Sequence, residues 1–137
     1  MATTYVYREL KANVEVETLT TSTSLDAGDS NKTFLIGTDA LVMTLPATVA
    51  GLRYTFINSG ADGNNIMTIS PAAADGIAGT ITLAGTVVQL DGTVNKDAIN
   101  TKASALLGDT ITLVGSGVTG TGAWFVEGST GIFAREV

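Results

Sequence analysis

Apolar and polar residues alternate with a period of two through most of the chain, in short runs. Val14, Val16 and Thr18 alternate with Glu15, Glu17 and Leu19, a run over residues 32–37 centres on Phe34 and Ile36, and Leu41, Met43 and Leu45 alternate with Val42 and Thr44. Successive side chains of a strand point to opposite faces, so each run predicts a strand with one buried and one solvated face. Pro46 has no N–H to donate and ends the third of these strands. Leu52, Tyr54 and Phe56 then point one way and Arg53 and Thr55 the other, the pattern of a central core strand. Residues 58–65 carry Ser-Gly and Asp-Gly turn dipeptides, which predicts that residues 66–70 return as the hairpin partner of that strand.

The second half continues in the same style. Residues 75–91 read as a Gly-punctuated hairpin whose halves meet at Ala84-Gly85 and which closes at Asp91-Gly92. Residues 94–107 read as strand and loop. Strands follow over 110–114, 123–127 and 131–134, with a loop over 115–122. The total is about nine to eleven strands. Sixteen glycines, two prolines and sparse helix formers agree with many short strands joined by tight turns. The expected fold is therefore all-β: one compact antiparallel sandwich or barrel-like domain over residues 14–137, with jelly-roll and tulip-like arrangements both open. Residues 1–13 form an arm ahead of it. There Tyr5, Tyr7, Arg8, Glu9 and Lys11 mix aromatic anchors with charges of both signs, the composition interfaces favour, and Tyr5, Tyr7, Arg8 and Lys11 are the expected docking residues.

Composition narrows the chemistry. The 137 residues suit one domain with a core of its own, without staples. The absence of cysteine removes disulfides and thiol chemistry, and the absence of histidine removes the usual general base and zinc ligand. The net charge of -6 comes from 13 acidic residues against 7 scattered basic ones, which offers no stripe for a phosphate backbone, so no nucleic-acid partner is expected. Residues 1–17 contain neither a signal peptide's apolar stretch nor a membrane span, so no membrane partner is expected and synthesis is placed in the cytoplasm.

The motifs that could carry chemistry read more simply as structure. Residues 115–120 match GxGxxG, but strand-like residues follow where a dinucleotide site needs a helix. Asp29, Asp62, Asp75, Asp91 and Asp109 adjoin Gly or Ser at punctuation points, where carboxylates bond to nearby backbone N–H groups. Asp26 and Asp29 lack the density of a calcium loop. No catalytic residue, metal or cofactor is assigned. Asn31-Lys32-Thr33 fits a glycosylation acceptor that stays unmodified without export. At Trp124-Phe125, alternation sends one ring inward and the other toward solvent or a neighbouring subunit.

The ordered set of segments SLDAGDSNKTFLIGTDALVMTLPA, AGLRYTF, MTISP, GDTITLVGSG and GAWFVEGSTGIF, over roughly residues 18 to 133, resembles the capsid decoration (cement, or auxiliary head) proteins of tailed bacteriophages. The resemblance implies a homotrimer on the outer surface of the mature head, at three-fold or quasi-three-fold positions, that stabilises the lattice of its partner, the major capsid protein. Trimer contacts are then expected from Val14, Val16, Thr18, Thr20 and Phe125, and capsid contacts from the arm. Related wording in phage fibres and spikes gives the alternative, a carbohydrate- or receptor-binding β-module using Tyr54, Trp124 or loop aspartates.

Overall fold

In a computed structural model the described backbone covers residues 13–83 and 86–137, and side chains are described for all of these except 82, 83 and 86–88. Tyr5, Tyr7, Arg8 and Lys11 lie outside the described residues. Twelve strands appear among those described: β1 (Val16–Leu19), β2 (Thr23–Ser24), β3 (Thr33–Ile36), β4 (Leu41–Thr44), β5 (Arg53–Asn58), β6 (Met67–Ser70), β7 (Ile77–Leu83), β8 (Thr86–Asp91), β9 (Ala98–Asn100), β10 (Thr110–Gly115), β11 (Trp124–Thr130) and β12 (Phe133–Arg135). There is no α-helix among them, only two short 3-10 turns at Ala27–Asp29 and Lys102–Ser104.

The strands form a seven-stranded sheet in the order β1-β3-β5-β10-β11-β7-β8 and a five-stranded sheet in the order β12-β9-β6-β4-β2. The two pack face to face as a sandwich. The all-β, two-faced expectation holds, but the antiparallel one does not. β1, β3 and β5 run parallel, as do β2, β4 and β6, and β7 pairs parallel with β11. Antiparallel pairing joins β10 to β5 and β11, β9 to β6 and β12, and β7 to β8. From β1 to β6 the chain alternates between the sheets, so residues 16–70 wind as a two-sided parallel coil that the later antiparallel strands close.

This winding also corrects the hairpin expected across residues 58–65. β5 belongs to the larger sheet and β6 to the smaller, and their apolar sides meet across the core instead of lying side by side. The corner between them is held by buried amides. Asn65 Nδ2 donates to Ile36 O at 3.4 Å and to Asn58 Oδ1 at 3.4 Å, while Asn58 Oδ1 also accepts from Gly60 N at 3.0 Å. The Asp-Gly turn marks a sheet-to-sheet crossing. The hairpin read over residues 75–91 does form, with Leu83 opposite Thr86, and residues 115–120 lie in the loop between the antiparallel β10 and β11.

Alternation builds the core. Phe34, Ile36, Tyr54, Phe56, Ile111, Leu113 and Trp124 face inward from the larger sheet, and Leu41, Met43, Met67, Ile69, Ala98 and Phe133 from the smaller. Phe34 and Phe56 are register partners and stack at 5.6 Å, and Tyr54 tilts against Trp124 at 5.7 Å. Fully buried aromatics of this kind are each worth about 3–5 kcal/mol against truncation to Ala.

At one end the core turns polar. Asn58 Nδ2 donates to Asn100 Oδ1 at 2.7 Å, and Asn100 Nδ2 donates to Asp109 Oδ2 at 2.9 Å and to Ile132 O at 3.0 Å. Asp109 Oδ2 also accepts from Leu106 N at 3.0 Å. Gly131 crosses so close that a Cβ there would run into the Asp109 carboxylate, and its φ of +104° is costly for other residues. The network ties β5, β9, β10 and the β11–β12 turn together with no amide left over. Asn100→Ala removes its centre, leaving the buried Asn58 Nδ2 only its 3.5 Å contact with Asn65 O and the Asp109 carboxylate only the Leu106 N–H. Chemical denaturation is expected to show a loss of roughly 2–4 kcal/mol, against about 0.5 kcal/mol or less for Thr119→Ala in the exposed β10–β11 loop.

Candidate interaction surfaces

Outward positions of the larger sheet form one continuous surface. Register places Val16 beside Thr33, Thr55 and Thr112 in one row, Thr18 beside Leu35, Ile57, Thr110 and Thr130 in the next, and Arg53 beside Val114, Phe125 and Ala78 in a third. Val16 is 57% exposed and Phe125 45%, while the threonine and aliphatic side chains between them are mostly half-buried by one another. Thr55 and Thr112 share a hydroxyl hydrogen bond of 3.0 Å. A bulge between Thr112 and Leu113 leaves Glu127 as the extra residue of β11 and brings its carboxylate to Arg53 Nε at 2.8 Å. This ion pair spans Val114, and among the described residues it is the one charged pair on the outward face from β1 to β7; the row ends in Asp91 on β8, opposite Ala78.

Of the residues expected from sequence, Val16, Thr18 and Phe125 lie on this surface. Val14, 64% exposed, precedes β1 and Thr20 follows it, both exposed and both at the same alternation as Val16. Trp124 is fully buried beneath, so the Trp124-Phe125 pair divides as alternation requires. Leu35, Ile57, Val114 and the Arg53–Glu127 pair also belong to the surface. Their alternation against Phe34, Phe56 and Leu113 was the available signal, but placing them beside Val16 and Phe125 requires the strand order.

At the β1 edge the inward alternation ends in charge. Lys32 Nζ lies 3.0 Å from Asp29 Oδ1, 3.3 Å from Glu17 Oε2 and 3.6 Å from Glu15 Oε1, and the Asp29 and Glu17 hydrogen bonds hold the ammonium well above its ordinary range. Asp26 and Asp29 cap the first 3-10 turn reciprocally, each side chain accepting a backbone N–H. Burial pushes the Asp29 carboxyl up, but the Asp26 N–H and the Lys32 ammonium outweigh it and leave the group below its usual value. A cation therefore already stands among these carboxylates, and it is the chain's own. Among the described residues no group of three or more carboxylates is arranged to hold a metal ion.

The turn aspartates accept backbone N–H groups as expected, but two of the partners are distant in sequence. Asp75 Oδ2 accepts from Thr48 N at 2.8 Å and Asp62 Oδ1 from Leu107 N at 2.9 Å, so these carboxylates clamp separate loops. Between the β7–β8 end of the larger sheet and the β12 end of the smaller, an open cleft of about 220 Å³ is lined by Ile77, Leu90, Asp91, Lys96, Asp97 and Arg135, among others. Arg135 Nη1 bonds Asp91 Oδ2 at 2.9 Å and Lys96 Nζ bonds Val137 O at 3.0 Å. Tyr54, named above as a sugar contact, is in the core with Trp124. Its hydroxyl donates to Asp26 O at 2.6 Å, and burial, with the Asp29 and Asp26 charges, pushes its pKa up to about 12.

No protein-family model matches the chain, and comparison with curated proteins finds no match.

Charge pairing sets the acid response. Lys102 holds the Asp39 carboxyl below its ordinary value, Thr93 does so for Asp91, and Arg53 for Glu127, in addition to Asp29. Such groups contribute stability above the unfolded-chain pKa and lose it as pH falls through the folded value. Asp97 behaves oppositely, because burial raises its pKa; its favourable contribution is present at low pH and is lost as pH rises through that raised value. Thermal melts are expected to show stability falling below about pH 4. Asp97→Asn should raise the melting temperature at pH 7 and leave it unchanged at pH 3.

Proposed function

We propose that this chain is a capsid decoration protein of a tailed bacteriophage, a homotrimer on the outer surface of the mature head at three-fold or quasi-three-fold positions, which stabilises the major capsid protein lattice. The observation that carries the reading is the outward surface of the larger sheet, where Val16, Thr18 and Phe125 lie together with one ion pair among aliphatic and threonine side chains. Such a face can be covered by a neighbouring subunit at little desolvation cost. The ordered likeness to decoration proteins supports it further. Its segments fall on β3, β4, β5, β6, β10 and β11–β12, the framework of the sandwich.

The mechanism needs no reaction. A trimer that binds the assembled lattice but not free capsid subunits stabilises the lattice by its binding free energy, repeated at every site. Val14, Val16, Thr18, Thr20 and Phe125 would contribute to the trimer contact, and Tyr5, Tyr7, Arg8 and Lys11 of the arm to the capsid contact. An acidic protein suits the outside of a head better than the DNA-facing side. The sugar-binding reading has less support, since Tyr54 and Trp124 present no ring to a ligand.

Sedimentation equilibrium is expected to give three times the 14.0 kDa chain mass. Val16→Asp and Phe125→Asp, at exposed positions, should shift it toward the monomer with an unchanged circular dichroism spectrum. The protein should co-sediment with expanded heads of its own phage and not with free capsid subunits. A monodisperse monomer that ignores heads would overturn the reading.

A further inference from the structure

The buried network beneath the β9–β10 connection fixes the surface above it. Pairing of Ile57 with Thr110 and of Met67 with Asn100 brings residues 58–66 and 101–109 to one end of the sandwich. There four successive backbone N–H groups are all bonded: Leu106 N to Asp109 Oδ2 at 3.0 Å, Leu107 N to Asp62 Oδ1 at 2.9 Å, Gly108 N to Asn58 O at 2.8 Å and Asp109 N to Leu106 O at 3.1 Å. Ala105 is buried, and its O accepts from Gly63 N at 2.8 Å. On a backbone held in this way, two adjacent leucines are turned into water, Leu106 at 51% exposure and Leu107 at 66%. A slack loop would fold such side chains back onto the protein, and the bonds to Asp62 and Asp109 keep this one from doing so.

We propose that Leu106 and Leu107 are a preformed contact for the assembled major capsid protein lattice, filling an apolar depression between its subunits. The inference rests on the capsid reading and adds to it a contact on the described fold. Charge favours this end. Among the described residues, its exposed charges are the Asp39–Lys102 ion pair and Asp62, whose carboxylate Leu107 N engages. The opposite end, where β3 and β5 begin, carries Asp26, Asp29, Asp91, Asp97 and Glu136 against Lys32, Lys96 and Arg135. An acid-rich end is best left in solvent, while an apolar end whose charges are already engaged loses little on being covered. Leucines fixed before binding also avoid the ordering cost that a flexible segment meets. The contact lies at the strand ends, so it does not compete with a trimer contact across the larger sheet. The Asn58–Asn100–Asp109 network then does more than join strands, because it holds the carboxylate that positions Leu106.

Binding of full-length variants to expanded heads stripped of the protein tests the inference, with sedimentation reading the oligomeric mass in parallel. Leu106→Asp with Leu107→Asp is expected to weaken head binding at least about ten-fold and to leave the mass and the circular dichroism spectrum unchanged. Val118→Asp, at a residue equally exposed at the opposite end, is expected to bind as the unmodified protein does. Asp62→Ala should weaken binding about three-fold or more, and Asp62→Asn, which keeps an oxygen for Leu107 N, should restore it. Undiminished binding by the double aspartate variant, or an equal loss from Val118→Asp, overturns the inference and leaves the capsid reading standing. A lower mass for the double variant also overturns it, since the leucines then join copies of this chain. Unmodified protein that ignores heads overturns both.

Discussion

Two parallel strands cannot be joined by a tight turn, and this constraint shapes the first half of the molecule. Each parallel neighbour of β1, β3 or β5 is reached only by crossing to the other sheet and back, so β2, β4 and β6 arise from the same winding. Crossing has a cost at the corners, where backbone polar groups leave one ladder before joining the next. The chain meets it with side chains. Asn58 and Asn65 close the β5–β6 corner, Asp75 holds the loop after β4 through Thr48, and the Asp26–Asp29 caps order the turn before β3. Antiparallel β9 and β10 then pair with the last strands of the coil in each sheet and close that end.

The same winding determines what is left uncovered. One end of the coil is closed by β9 and β10, and the other presents β1 and β2 as edges of both sheets. At β1 the edge carries Glu15 and Glu17 around Lys32, a charged arrangement that discourages pairing with a stray strand. At β2 only two residues are in strand conformation, and among the described residues no comparable charge cluster lies beside them.

Alternation made the inward and outward sets readable for β3, β4, β5 and β10, because one buried face leaves a mark at every second residue. Trp124 and Phe125 divided as the period of two requires, and the Ala84-Gly85 hairpin followed from its turn residues. Strand partners were not readable in the same way. The alternation of Leu52, Tyr54 and Phe56 is identical whether Met67 and Ile69 lie beside them or across the core, so the Asp-Gly dipeptide reads as a hairpin in the sequence and is a crossing in the fold. Asn58, Asn100 and Asp109 were hidden for a related reason. A polar residue at a strand end looks like a turn former, and only tertiary contact reveals it as part of a buried network. Among the proposed interface residues, the outward parity of Val16 and Phe125 was legible, while their place on one face depended on four strand pairings.

The composition of that face fits a protein that must be soluble before it assembles. A surface of leucine and phenylalanine alone would invite aggregation, and a highly charged one would resist being covered. Threonine satisfies both demands: its methyl packs against neighbours while its hydroxyl bonds water or, as at Thr55 and Thr112, another hydroxyl. Arg53 and Glu127 neutralise each other across Val114, so covering the face buries a pair instead of a lone charge. The net charge of -6 is carried mainly elsewhere, at loops and the β1 edge, where it keeps free copies apart in solution without opposing contact across the sheet. Strand order therefore sets most of the described charge apart from the outward face of the larger sheet, the separation that the proposed assembly requires.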